Sequence, residues 1–113
     1  MAIRKATRPL PVFAGFVVDI TRSRTELLMA NALHFQRDKE RTLGVVQSYL
    51  KPHGKLILVE YNTDRGNTWV PYPLSFDVWL RLAQRCGFSE TRLLTRAPSS
   101  FLGEFYSAVS WKP

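Results

Sequence analysis

Between Tyr49 and Tyr61 the sequence changes period within a few residues, and this change limits the possible folds more than any other feature. Leu43, Val46 and Leu50 lie at helical spacing along Lys39–Leu50. Pro52 and Gly54 then stop the helical pattern. Leu56-Ile57-Leu58-Val59 follows directly, within Lys55–Tyr61, with no polar residue among the four. An apolar run without alternation predicts a strand buried on both faces, the form strands take inside parallel sheets. Helix, tight stop and buried strand together are the repeating unit of an α/β sheet.

The flanking residues extend the same alternation. Phe16 to Ile20 is apolar but for Asp19 and predicts a strand, and Thr21 to Glu26 is polar and turn-like. Leu27-Leu28-Met29-Ala30-Asn31 predicts a second strand buried on both faces. Asp38 stands where a helix N-cap belongs, ahead of Lys39–Leu50. Asn62 to Pro73, with Gly66, Trp69, Pro71 and Tyr72, predicts a loop. Ser75 is a second N-cap, followed by Phe76, Trp79, Leu80 and Ala83 on an apolar stripe, with Gly87 at the helix end. Glu90 to Arg96 and Glu104 to Trp111 alternate and predict two more strands, joined by a link short enough for an antiparallel pair. Residues 1–15, with Pro9, Pro11 and Gly15, show no period and predict an irregular basic arm. The expected organisation is therefore an α/β domain over 16–113 preceded by that arm.

Composition excludes several classes. The longest apolar runs are far too short to cross a bilayer. A single cysteine, Cys86, allows neither an internal disulfide nor a cysteine zinc site, and with two histidines no zinc pattern is plausible. Cys86 near a helix end predicts a small buried apolar side chain. These features predict a soluble, cytoplasmic chain. Lys and Arg total 16 against 9 Asp and Glu, a net charge of +7. That balance suits anionic partners, and a basic nucleic-acid-associated domain is an alternative reading. The basic residues are scattered, however, without a recognition-helix signature or interleaved aromatics, so nucleic acid is not the expected partner.

Two segments carry a family resemblance. Leu28-Met29-Ala30-Asn31-Ala32-Leu33-His34-Phe35 with Asp38-Lys39 resembles the fourth strand and following turn of class I S-adenosylmethionine-dependent methyltransferases of the small-molecule, type 11/12-like kind. Tyr49-Leu50-Lys51-Pro52-His53-Gly54-Lys55-Leu56-Ile57-Leu58-Val59-Glu60-Tyr61 resembles that family's Leu-Lys-Pro-Gly-Gly turn and fifth strand, with His53 in place of the first glycine. Cys86-Gly87-Phe88 and Phe105-Tyr106-Ser107-Ala108 resemble the closing elements. The resemblance covers the C-terminal half of the family domain only. It implies a partial Rossmann-like sheet, the family's strands 4-5-7-6 with two helices and an antiparallel last pair. It also implies S-adenosylmethionine as cofactor, lying across the C-terminal ends of the parallel strands, and a small-molecule methyl acceptor. The family's glycine-rich cofactor loop has no counterpart: the six glycines, at 15, 44, 54, 66, 87 and 103, form no Gly-x-Gly. Activity by the chain alone is accordingly not expected.

The resemblance also implies roles for particular residues. Phe16 to Thr21 is similar to the end of the family's third strand, which would set Asp19 against the adenine amino group and Ile20 against its ring; the alternative for Asp19 is a turn cap. Asn31 and Ala32 would border the cofactor's methionine part, the alternative for Asn31 being a buried amide tying strand to loop. His34 would face the acceptor, as a structural residue or as a general base. Glu60, Tyr61, Trp69 and Tyr72 would line the acceptor pocket; Trp69 and Tyr72 read equally as a proline-stiffened lid packed on the core. Methyl transfer relies on approach geometry and desolvation, with a base only where the acceptor loses a proton, so no triad or metal cluster is expected. A half-sheet leaves an apolar edge along Leu27–Asn31. Either the Phe16–Ile20 segment folds onto it, or a second copy or a complementing chain pairs there. Three readings stay open: an incomplete methyltransferase inactive alone, a half completed by a partner, and a non-catalytic interaction module.

Overall fold

The structure, a computed structural model, describes residues 25–113 and, before them, the backbone of three short strands. These are β1 (Val12–Phe13), β2 (Phe16–Val17) and β3 (Asp19–Ile20). They are followed by β4 (Glu26–Ala30), a 3-10 turn (Leu33–Phe35), α1 (Lys39–Tyr49), β5 (Lys55–Tyr61), α2 (Phe76–Arg85), β6 (Glu90–Ser99) and β7 (Gly103–Trp111). The expected irregular arm thus contains a strand at Val12–Phe13, paired antiparallel with Phe16–Val17. The rest of that basic arm, and the side chains of Asp19 and Ile20, lie outside the described residues.

Five strands form one mixed sheet in the order β3-β4-β5-β7-β6. The β4–β5 pair is parallel, and β7 runs antiparallel to both β5 and β6. The fold is α/β, and β4-β5-β7-β6 with two helices and an antiparallel last pair is the partial sheet that the resemblance implied. β3 pairs antiparallel with β4, setting Asp19 opposite Leu28 and Ile20 opposite Leu27. The end of the Phe16–Ile20 segment therefore folds onto the apolar edge, one of the two solutions expected for it.

Both predicted N-caps form. The Asp38 carboxylate accepts from the Arg41 N–H at 3.2 Å, and the Ser75 hydroxyl from the Val78 N–H at 3.3 Å. Leu50 is the C-cap of α1 rather than its last turn. The terminal carbonyls of α1 are met from the far end of the chain, where Lys112 Nζ donates to Gln47 O at 2.8 Å and Leu50 O at 2.9 Å, satisfying groups a helix end leaves open. Gly87, at φ +91°, closes α2 in the left-handed conformation that favours glycine.

The helices cover one face of the sheet. Leu27 and Met29 of β4, Leu56 and Leu58 of β5, and Tyr106 and Ala108 of β7 pack with Leu43 and Val46 of α1 and Trp79, Leu82 and Ala83 of α2 in one core. Intervening strand residues, Leu28, Ala30, Ile57, Val59 and Phe105, are only half-buried. The expectation that Leu27–Asn31 is buried on both faces is therefore corrected: among the described residues, the second face has no helix layer. Leu80, expected on the core stripe of α2, is 40% exposed, because Trp79, Leu82 and Ala83 define the buried side. β6 extends past its expected end at Arg96 to Ser99, so Pro98 lies within an edge strand, where a missing N–H is tolerated. A bulge between Leu93 and Thr95 and the exposed Arg92 and Arg96 blunt this edge against further pairing. No helix among the described residues is long and apolar enough to cross a membrane.

Leu58, fully buried in the central strand, tests this layering. Leu58→Ala should lower the unfolding free energy by about 3 kcal/mol and Leu80→Ala by less than about 0.5 kcal/mol, both read from urea denaturation.

Candidate functional site

The C-terminal ends of β4 and β5 lie side by side because the strands are parallel and in register, with Ala30 opposite Val59. Beyond β4 the chain turns sharply at Asn31, whose φ of +54° is a left-handed conformation that asparagine tolerates. The Asn31 N–H still donates to Val59 O at 2.9 Å, extending the ladder by one bond. Asn31 is exposed, not the buried amide of one reading, whereas Ala32 is buried. The 3-10 turn that follows delivers His34 onto the end of β5.

There His34 meets Glu60, the last core-facing residue of β5. The Glu60 side chain is fully buried and that of His34 is 3% exposed. Nδ1 of His34 lies 2.7 Å from Glu60 Oε1, and the His34 backbone N–H donates to Oε2 at 3.2 Å. An ionised carboxylate only accepts, so beside it Nδ1 carries a proton, and in the neutral imidazole Nε2 is then the nitrogen with the lone pair. No described residue bonds Nε2. Glu60 therefore does not line an open pocket, as expected from the sequence, but orients the imidazole. The pair was missed as a pair because its members are 26 residues apart and only the parallel register brings them together.

Aromatic rings frame the imidazole. Phe35 and Tyr61 lie 4.4 and 5.9 Å from the His34 ring, centroid to centroid. Tyr61 stacks on Phe105 at 4.4 Å and 25° and approaches Phe101 at 5.9 Å. Phe35 and Phe101 are exposed. Only Tyr61 of this set was expected at the site; Phe101 and Phe105 lie in a hairpin forty or more residues on, and the resemblance of Phe105-Tyr106-Ser107-Ala108 to a closing strand gave Phe105 no site role. Lys39 donates from Nζ to Gln36 O at 2.7 Å and lies over the Tyr72 ring at 5.7 Å. Burial pushes the Lys39 ammonium below its ordinary pKa, and the negative charge of Glu60 pulls partly back.

The loop between β5 and α2 is pinned along its length. Asn62 Nδ2 donates to Glu104 Oε2 at 2.6 Å, and Asn62 Oδ1 accepts from the Phe76 N–H at 2.9 Å. Asp64 accepts from the N–H and the hydroxyl of Ser75 at 2.8 and 3.0 Å. Asn67 Oδ1 accepts from the N–H groups of Trp69 and Val70. The Tyr72 N–H donates to His34 O at 2.9 Å, and the buried Tyr106 hydroxyl to Leu74 O at 3.0 Å. A Cβ on Gly66 would stand 2.2 Å from Pro71 O, so only glycine permits this close return. The loop is a fixed strap. Tyr72 is 41% exposed, and Trp69, at 72%, projects from the strap instead of packing on the core.

Asp19 and Ile20 are not gathered with these groups. Their backbone pairs with Leu28 and Leu27, near the start of β4, while Asn31, His34 and Glu60 sit at the opposite end of the strands. A groove of about 350 Å³ opens on the uncovered sheet face, lined by Asn31, Val59, Thr95, Ala97, Phe105 and Ser107. It exists because residues 30, 59, 107 and 95 form one cross-strand row, three of them small. Cys86, away from the site, is partly buried rather than fully so, and burial raises its thiol pKa. Among the described residues no His, Cys, Asp or Glu group could hold a metal.

Neither a family model nor a curated protein matches the chain. Solved structures do. The chain is similar to the CurJ carbon methyltransferase, with a TM-score of 0.62 and 24% identity over 77% of this chain and 29% of that one. It is also similar to a Thermotoga maritima S-adenosylmethionine-dependent methyltransferase described as a possible histamine N-methyltransferase. There the TM-score is 0.56 and the identity 21%, over 76% of this chain and 55% of that one. The fold is that of S-adenosylmethionine-dependent methyltransferases, and the chain spans well under two thirds of the length of either structure.

Two substitutions probe the site's construction. Glu60→Ala strands the two His34 donors in a buried setting and should lower stability by on the order of 2 kcal/mol. Glu60→Gln, which keeps the shape and one acceptor, should lose less; urea denaturation of both checks this. Tyr106→Phe should lose about 1 kcal/mol with its hydrogen bond to Leu74. Burial, with the charges of Glu60 and Asp64, raises the Tyr106 pKa far above its ordinary 10.0. The folded state therefore holds the phenol proton more tightly than the unfolded chain, and stability should fall as pH rises above about 10. Tyr106→Phe should remove that alkaline component, read from denaturation midpoints between pH 8 and 11.

Proposed function

We propose that this chain is the acceptor-side half of a small-molecule, type 11/12-like S-adenosylmethionine-dependent methyltransferase, with His34 as the group that takes a proton from the methyl acceptor. The buried His34–Glu60 pair at the C-terminal end of the parallel strands carries this reading. Glu60 fixes the ring and its tautomer, leaving Nε2 free to accept. Tyr61, with the strap bearing Trp69 and Tyr72, forms the acceptor-side wall.

The residues at hand do not make a complete cofactor cradle. Asn31 and Ala32 at the end of β4 offer one flank. The sequence has no Gly-x-Gly to let a backbone approach the cofactor, and the Glu60 carboxylate at the end of β5 is engaged by His34. S-adenosylmethionine, where a complementing unit binds it, supplies the methyl group; this chain's residues orient the acceptor and hold its proton. The half-buried face bearing Leu28, Ile57, Val59 and Phe105, together with the edge of β4 beyond its pairing with β3, is where such a unit would dock. A homodimer through that edge is the competing arrangement.

Calorimetric titration of the chain alone with S-adenosylmethionine should show no micromolar binding; micromolar affinity would sink the half-site reading. In a complex carrying a glycine-loop half, His34→Asn should slow methyl transfer by about 10²–10⁴-fold while cofactor affinity holds. A rate unchanged by that substitution would remove His34 from the chemistry.

A further inference from the structure

A cavity of about 300 Å³ opens between the start of α1, the end of the strap and α2, and neither His34 nor Glu60 lines it. Its floor is apolar: Leu74 and Leu82 are buried and Val78 partly so. Its rim is charged, with Arg37, Lys39 and Arg85 beside Asp38 and Glu40, a surplus of one positive charge. Arg85 pairs with Glu40 at 3.2 Å. Asp38 caps α1 and keeps its charge, because its donor is a neutral N–H. Arg37 and Lys39 have no carboxylate within ion-pairing distance among the described residues. Lys39 is half-buried, yet its ammonium, with three N–H donors, has one protein acceptor, Gln36 O at 2.7 Å, besides the face of Tyr72. Burial presses its pKa downward, and an anion beside it would press it back. An apolar floor under two unpaired cations suits one class of ligand.

We infer that this cavity binds a monocarboxylate with a small apolar body, an alkanoate or an arylalkanoate. The carboxylate pairs with the Arg37 guanidinium, whose fork matches two oxygens, and with the Lys39 ammonium. The body lies on Leu74, Val78 and Leu82. Charge sets the class. One negative charge cancels the surplus at the rim; a second would face Asp38 and Glu40 unbalanced, and a cation would meet Arg37 and Lys39. Volume sets the bound, since about 300 Å³ is at the small end for ligand pockets. The two kinds of acid share a headgroup and differ in whether the body is a chain or a ring. The inference does not rest on the methyl-transfer reading and needs no methyl donor. Pro73 and Leu74 also line the cavity, so a bound acid touches the strap directly after Tyr72.

NMR titration of the full ¹⁵N-labelled chain, at neutral pH and fixed ionic strength, tests this. The probes are octanoate for the chain, 4-phenylbutanoate for the ring, acetate, which has the headgroup without the body, and octanamide, which has the body without the charge. At least one of the two long acids should saturate at about 1 mM or below. It should shift the amides of Lys39, Val78 and Leu82 and leave those of Thr95, Ala97 and Ser107, in the groove on the open face, in place. The tighter of the two acids identifies the body. Acetate should bind at least about tenfold more weakly, since each buried methylene contributes about fourfold. Octanamide should also lose about tenfold, the worth of hydrogen bonds to a charged group. Arg37→Gln, at an exposed position, should weaken the long acid by a similar factor, and Arg96→Gln, an exposed cation on β6, should leave its affinity unchanged. Octanamide binding as well as octanoate, an affinity unchanged in Arg37→Gln, shifts confined to the open-face groove, or no saturation by either long acid at about 10 mM would each overturn the inference.

Discussion

The fully buried carboxylate of Glu60 is the constraint around which the end of the sheet is organised. A carboxylate withdrawn from water must be met by donors, and here both oxygens are met by one residue, His34, through its ring and its backbone. That requirement fixes where the chain goes after β4. It must turn at Asn31, coil through Leu33–Phe35 and bring His34 over the end of β5. The carbonyl of His34 then anchors the strap through Tyr72, and Lys39, one turn on, lies within the field of Glu60. A single buried charge thus couples β4, β5, α1 and the loop before α2.

Much of the fold could be read from local pattern. The helix stops, the caps at Asp38 and Ser75 and the run Lys55–Tyr61 all obey rules that act over a few residues, and each lies close to where the sequence put it. The errors share a cause. Leu28, Ala30 and Leu80 are apolar but not core, because burial depends on what covers a face, and periodicity carries no information about that. The continuation of β6 through Pro98 was hidden because proline normally breaks a ladder, and only its edge position makes it harmless.

The residues of the candidate site could be singled out one by one, but their arrangement could not. His34, Glu60, Tyr61 and Tyr72 were each expected near an acceptor from family resemblance, yet nothing in their spacing showed that Glu60 would be consumed by His34. That depends on the parallel register of β4 on β5, a long-range property. Trp69 had two readings, and its exposure follows from the strap's own bonds: the Asn67 turn and the Gly66–Pro71 approach leave its side chain no path back to the core.

The one-sided layering of the described residues bears directly on the proposed cofactor flank. A parallel β-strand pair needs cover on both faces to remove its apolar residues from water, and among the described residues only the α1/α2 face has a helix layer. The other face carries the leucine, isoleucine, valine and phenylalanine that a second layer would bury, and a groove where Ala30 and Ser107 are too small to fill the row. That groove reaches Asn31, the residue at the expected cofactor flank. A unit seated on the open face would therefore shield the apolar strands and, at its upper end, stand against Asn31. Completion of the fold and completion of the cofactor site would then be one event, and the chemistry of His34 would depend on a surface that lies on the opposite side of the sheet from the core.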